Sequence, residues 1–195
     1  MGRKNGGVMK KTSLIVMLLL ILSIGWTFSA NTKEITNPKC NAAYSKVTNE
    51  EKVCEALDIM KGSIADFSRN AILGENLTNK PVRIEFLELS TVKPQYANYD
   101  ALGMKKKGQL FIYINQKHQN APAEALASLL SHEALHQDEY NSIKEETYAW
   151  TMEATTWAAL SRKNPQAKND KTSSLVLREN MLLKKRNTNE LIIQS

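Results

Sequence analysis

Ser131–Trp150 reads SHEALHQDEYNSIKEETYAW, and the fold turns on how that stretch is divided. Two of the chain's three histidines fall in it as His132-Glu133-Ala134-Leu135-His136. On a helix, residues i and i+4 share one face about 40° apart, so both imidazoles can reach a single ion. Glu133 then points to the side where a water on that ion would sit. A catalytic zinc takes three protein ligands and keeps a fourth position open. Glu145 and Glu146 follow His136 by nine and ten residues, beyond a turn near Asn141 and Ser142. A helix starting there and packing back antiparallel carries one of them to the ion. The stretch therefore predicts two helices face to face, not one long polar helix.

Upstream of it, NAPAEALASLLSHEALHQDEY reads as the first of these helices. Pro122 suits its opening turn, and Ala125, Leu126, Leu129, Leu130 and Leu135 supply its apolar surface. GQLFIYIN before it is a strand, continuously apolar from Leu110 to Ile114 and so more fully covered than the strand that precedes it. The lysines at 105–107 form a solvated hairpin tip, and the segment around Pro94, Tyr96, Asn98 and Gly103 is a loop. VRIEFLELS alternates Val82, Ile84 and Phe86 against Arg83 and Glu85, as a half-buried strand does. Its phase slips at Leu87, which a bulge near Phe86 or cover on both faces accommodates. Further back, TNEEKVCEALDIMKGSIADF predicts one helix opened by a Thr48/Glu51 capping box, with Ala56, Leu57, Met60, Ile64 and Phe67 as its buried stripe. Downstream, EETYAWTMEATTWAALSR is the second of the paired helices, KNPQAKND breaks structure, and SSLVLRENMLLKKRNTNELIIQ forms a basic amphipathic helix. His118 reads as an exposed loop histidine.

The N-terminus places the chain. Lys4, Lys10 and Lys11 precede an apolar run from Leu14 to Trp26, with small residues Ser29 and Ala30 after it. That pattern is a signal peptide or an N-terminal membrane anchor over residues 1–30, and either exports the rest of the chain. Residues 31–162 form the domain proper and 163–195 a basic helical tail. Outside the reducing cytosol, Cys40 and Cys54 can form a disulfide, and they lack the companions that a metal set would need. The net charge of +6 is spread along the chain without an aromatic-interleaved basic stripe. That balance favours a membrane or cell-wall surface over nucleic acid, which is not expected as a partner.

With its HExxH pair and downstream glutamate, the chain resembles the gluzincin metallopeptidases over roughly residues 80–160. In several gluzincin groups the ligand glutamate opens a Glu-x-x-Ala pattern, which Glu146-Thr147-Tyr148-Ala149 matches. The resemblance implies an α+β, zincin-like minimal fold: an N-terminal helix, a short, mostly antiparallel sheet, two active-site helices and a helical tail. It implies Zn2+ held by His132, His136 and Glu146, with Glu145 as the substitute ligand. It implies Glu133 as general base for an attacking water, and a peptide or protein substrate paired along GQLFIYIN. Many relatives carry an acidic residue one turn after the ligand glutamate to orient the first histidine. Position 150 is Trp150 here, which leaves Glu153 or Asp138 for that task. Tyr140 and Tyr148 read as core or rim residues. Two other classes fit the same chain: an exported metal-holding scaffold without catalysis, and a membrane-surface protein using its basic tail.

Overall fold

The helix carrying the first histidine is buried from nearly every side. In a computed structural model that describes residues 40–77, 79–136 and 142–187, it spans Ala123–Glu133, and every residue from Ala125 to His132 is buried. Its small residues allow this, because Ala125, Ala127, Ser128 and Ser131 let neighbouring backbones approach. The two buried hydroxyls are satisfied on the helix itself, Ser128 Oγ donating to the Glu124 carbonyl at 2.8 Å and Ser131 Oγ to the Ser128 carbonyl at 2.7 Å.

Five further helices and a three-stranded sheet surround it, making a mixed α+β fold among the described residues. In chain order the elements are α1 (Glu51–Met60), α2 (Asp66–Leu73), β1 (Arg83–Leu87), β2 (Ala101–Lys106), β3 (Gln109–Asn115), the buried helix α3 (Ala123–Glu133), α4 (Ile143–Lys163), the short α5 (Pro165–Lys168) and α6 (Ser174–Asn187). Helix α3 packs against α1, α2, α4, α6 and the sheet. The core joins Leu57 and Met60 of α1, Ile84 and Ile114 of the sheet, Leu126, Leu129 and Leu130 of α3, Trp157 of α4 and Leu175 of α6. Cys40 and Cys54 are joined, with Cα atoms 5.5 Å apart, which staples the incoming chain to α1. Among the described residues no helix is long and apolar enough to cross a membrane; residues 1–30 lie outside them.

Several expectations are corrected. The helix expected over residues 48–67 is two helices, because Gly62 turns the chain at φ +64° and the polar neighbours hold the break open. Asp66 Oδ1 accepts from the Gly62 amide at 2.9 Å, and Ser63 Oγ from that of Ala65 at 3.1 Å. Ile64 and Phe67 consequently leave the core and stand half exposed. Thr48 Oγ1 caps the Glu50 amide, at 3.0 Å, rather than that of Glu51. The phase slip in VRIEFLELS is neither a bulge nor double cover. The strand ends at Leu87, and Glu88 starts a 3-10 turn by accepting from the Ser90 amide and hydroxyl, which drops Leu89 into the core.

The sheet is mixed rather than mostly antiparallel. β3 is its middle strand, parallel to β1 and antiparallel to β2. β2 was expected as loop, since ALGMKK pairs weakly apolar residues with glycine and lysine, as an exposed edge strand does. Its register is set by the turn at Lys107 and Gly108, whose φ values of 50° and 79° match a type I′ hairpin. The lysines do sit at that tip. KNPQAKND contains the short helix α5. His118 is buried, with 1% of its surface exposed.

Gly74 ends α2 in the left-handed region at φ +77°, where the Glu75 amide reaches back to the Asn70 carbonyl at 2.8 Å. A Cβ there would lie 2.5 Å from the Lys80 carbonyl carbon. Gly74→Ala should therefore cost at least ~1–2 kcal/mol, the ordinary left-handed penalty with a backbone clash added. Urea unfolding should show a lower midpoint at unchanged slope; an unchanged midpoint would refute this reading of the turn.

Candidate metal centre

His132 lies in the last turn of α3 and His136 just past its end. The chain tightens there, the Leu135 amide donating to the His132 carbonyl at 3.0 Å and the His136 amide to the Glu133 carbonyl at 3.2 Å. HExxH thus occupies a helix end rather than a helix interior, with α3 stopping before the expected 140. Ser68 of α2 donates to the Ser131 carbonyl at 3.1 Å, which anchors this terminus. Helix α4 opens with Ser142 accepting from the Glu145 amide at 3.0 Å, and with two acidic residues at its positive end. Glu146, Ala149, Trp150 and Glu153 follow on the face of α4 turned toward α3.

Each histidine is held at one nitrogen and presents the other. His136 Nδ1 is 2.8 Å from Glu145 Oε1, and His132 Nδ1 is 3.0 Å from Glu153 Oε2, a close contact rather than a straight hydrogen bond. Their Nε2 atoms face Glu146, that of His132 at 3.7 Å from Oε2 and that of His136 at 3.5 Å from Oε1. One donor atom from each of the three residues lies within 4.8 Å of the other two, so the group could hold a metal ion. Ligands at ~2.0–2.1 Å in a tetrahedron stand ~3.3–3.4 Å apart, close to the spacings found. Carboxylates behind the non-ligating nitrogens are also what metal-binding histidines use to fix ring orientation. The structure thus brings together His132, Glu133, His136 and Glu146 and puts Glu145 behind His136. Asp138 and Tyr140 lie outside the described residues.

The surroundings are strongly acidic. Burial pushes the His132 imidazole toward the neutral form, but Glu153 first, then Glu133 and Glu146, outweigh it and raise its pKa above 6.5. The same negative field favours a bound cation. Glu133 is pushed above the usual carboxylate range by burial, against the pull of His132 and His136. It lines a cleft of about 480 Å³ with both histidines, Glu146 and Trp150. The cleft is also lined by the segment Asn98–Lys105 and by Leu110, Phe111 and Ile112. The edge strand β2 thus borders it together with the expected β3, whose two edges are already paired with β1 and β2. Tyr148 points away, 62% exposed, into an apolar groove with Phe67 and Met152.

Three residues at the site carried no motif. Trp150 stands edge-on to His132, with ring centroids 4.7 Å apart. Arg178 of α6 reaches across to Glu153, and its Nε is 2.9 Å from Asp100 Oδ2. Asp100 also takes His118 Nε2 at 2.7 Å and Lys117 Nζ at 3.2 Å. A clue lay in the α6 sequence, where Leu175, Val176 and Leu182 pack inward and leave Arg178 and Glu179 on the inner side. Comparisons with models of known protein families, with curated proteins and with solved structures found no match.

Burial raises the Asp100 carboxyl, but the His118 hydrogen bond and the Arg178 and Lys117 charges outweigh it and bring it to about 2, from an ordinary 3.8. A depressed carboxylate stabilises the fold above its unfolded pKa, and that contribution vanishes as pH falls through the folded one. Asp100→Asn should therefore destabilise the chain on the order of 2 kcal/mol at pH 7. Wild type and variant should converge between pH 4 and pH 2. A gap that persists at pH 2 in urea titrations would contradict the ion-pair account.

Proposed function

We propose that the chain is an exported zinc-dependent metallopeptidase of the gluzincin type. The observation that carries this is the convergence of His132 Nε2, His136 Nε2 and the Glu146 carboxylate on one point of a cleft, with Glu133 beside it. Two imidazoles and one carboxylate suit zinc, and the three-ligand set leaves room for water and substrate. Zinc held there supplies a Lewis acid that brings a water's pKa toward ~7 and polarises a carbonyl.

The remaining work belongs to the chain. Glu133, its carboxyl raised by burial, is suited to take the water's proton and return it to the leaving amine. Glu145 and Glu153 keep the two imidazoles turned with Nε2 toward the cleft. The unpaired side of β2 offers main-chain donors and acceptors to an extended peptide, which would lie as a further strand along the cleft. Export accords with the Cys40–Cys54 bridge, since such links persist in oxidising compartments.

Two sets of variants test this reading. Glu133→Gln keeps size and hydrogen bonding, so zinc content and fold should be unchanged while hydrolysis of an unfolded protein falls at least ~10²–10⁴-fold. Zinc-loaded wild type that cleaves no unfolded substrate would make the chain a metal-holding scaffold. Glu146→Ala should abolish stoichiometric zinc, whereas Glu145→Ala should weaken retention only ~10–100-fold through loss of the His136 contact. The reverse ranking would hand the ligand role to Glu145.

A further inference from the structure

Glu153 has no exposed surface, yet it is the group behind His132. A carboxylate in that position needs a counter-charge, and Arg178 supplies it from α6, 25 residues further along the chain. Arg178 Nη1 and Nη2 both bond Glu153, the second at 3.2 Å, as a two-pronged contact. Its Nε holds Asp100 at 2.9 Å, and Nη1 also meets buried Glu179 at 2.9 Å. The guanidinium lies over the Trp150 ring at 5.0 Å, and Trp150 in turn abuts His132. Both groups that fix the imidazole, the Glu153 carboxylate and the Trp150 ring, therefore bear on one guanidinium.

We propose that Arg178 is a positioning residue for the metal centre, which makes helix α6 part of the active site rather than a surface-binding tail. The inference deepens the zinc reading above and rests on it. Arg178 is not itself a ligand; it acts on His132 through Glu153 and Trp150. Through Asp100, which immediately precedes β2, it also ties the cleft's edge strand to the same network. A lysine cannot do this, because its single ammonium lacks the planar fork that reaches three carboxylates at once.

The test compares zinc affinity in the full chain for wild type, Arg178→Lys, Arg178→Met and Asn180→Ala, by competition with a chromophoric chelator. The visible spectrum of the Co2+-loaded protein and the melting temperature of the metal-free protein are recorded alongside. Asn180 is the control: it lies on α6, accepts from Trp157 Nε1 at 3.1 Å and donates to the Lys168 carbonyl at 3.1 Å, away from Glu153. Arg178→Lys should weaken zinc ~10–100-fold and shift the Co2+ bands, with Arg178→Met weaker still. Asn180→Ala should lower the melting temperature but leave affinity and spectrum as in wild type. If Arg178→Met does not fold, the lysine variant and the control decide. Wild-type affinity and spectrum in Arg178→Lys would overturn the proposal alone, as would an equal loss in Asn180→Ala. Failure of the wild type to bind zinc at all would overturn the site reading as well.

Discussion

The contact between Glu153 and His132 is the constraint on which the rest of the site depends. It puts a carboxylate in the core, where an isolated charge would cost several kcal/mol, and so demands a partner. Arg178 is that partner, and burial of its guanidinium in turn requires α6 to close over α4. Removing one member of such a buried pair ordinarily costs ~3–5 kcal/mol, because the other is left uncompensated. Fold and site are therefore coupled through one side chain. The position of His132 is fixed from behind by groups on α4 and α6 and from below by the anchored end of α3.

Charge also explains how these groups coexist. Asp100, Glu153 and Glu179 surround a single guanidinium. The strain is relieved by sorting their protonation. Glu153 is held well down, despite its burial, by the Arg178 charge and the His132 contact. Glu179 is pushed well up by its burial and by the neighbouring Glu153 charge, which favours its neutral form. Like charges in a dry site cannot all ionise, and the group farther from the imidazole is the one that yields.

The side-chain cluster was legible where spacing determines it. His132, Glu133 and His136 could be named from i, i+4 geometry, and an antiparallel partner helix left Glu145 and Glu146 open. The choice of Glu146 came from the Glu-x-x-Ala pattern of the gluzincin resemblance. Glu153 was legible as one of two choices, since seven residues from Glu146 bring it back to the same face. Arg178 and Asp100 were not, because they meet only after the tail packs, and nothing in local sequence marks a long-range ion pair. The same limit hid β2, whose strand character comes from pairing with β3 rather than from its own residues. The break at Gly62 was missed for the opposite reason. Its periodic apolar residues run through a glycine that local hydrogen bonds turn into a stop. His118 looked like an exposed loop residue; in the fold it is buried, with the half-buried Asp100 carboxylate as its partner.

The proposed zinc centre places one ion among two imidazole nitrogens and one carboxylate oxygen. X-ray absorption at the zinc edge, on the full chain loaded with one equivalent, measures this most directly. Zinc held there should show a four-coordinate centre with nitrogen and oxygen scatterers at ~2.0–2.1 Å, the outer-shell signature of two imidazoles, and no sulfur. That signature should be lost in His132→Ala. A sulfur shell, a six-coordinate centre without imidazole scattering, or an unchanged spectrum in the variant would contradict it.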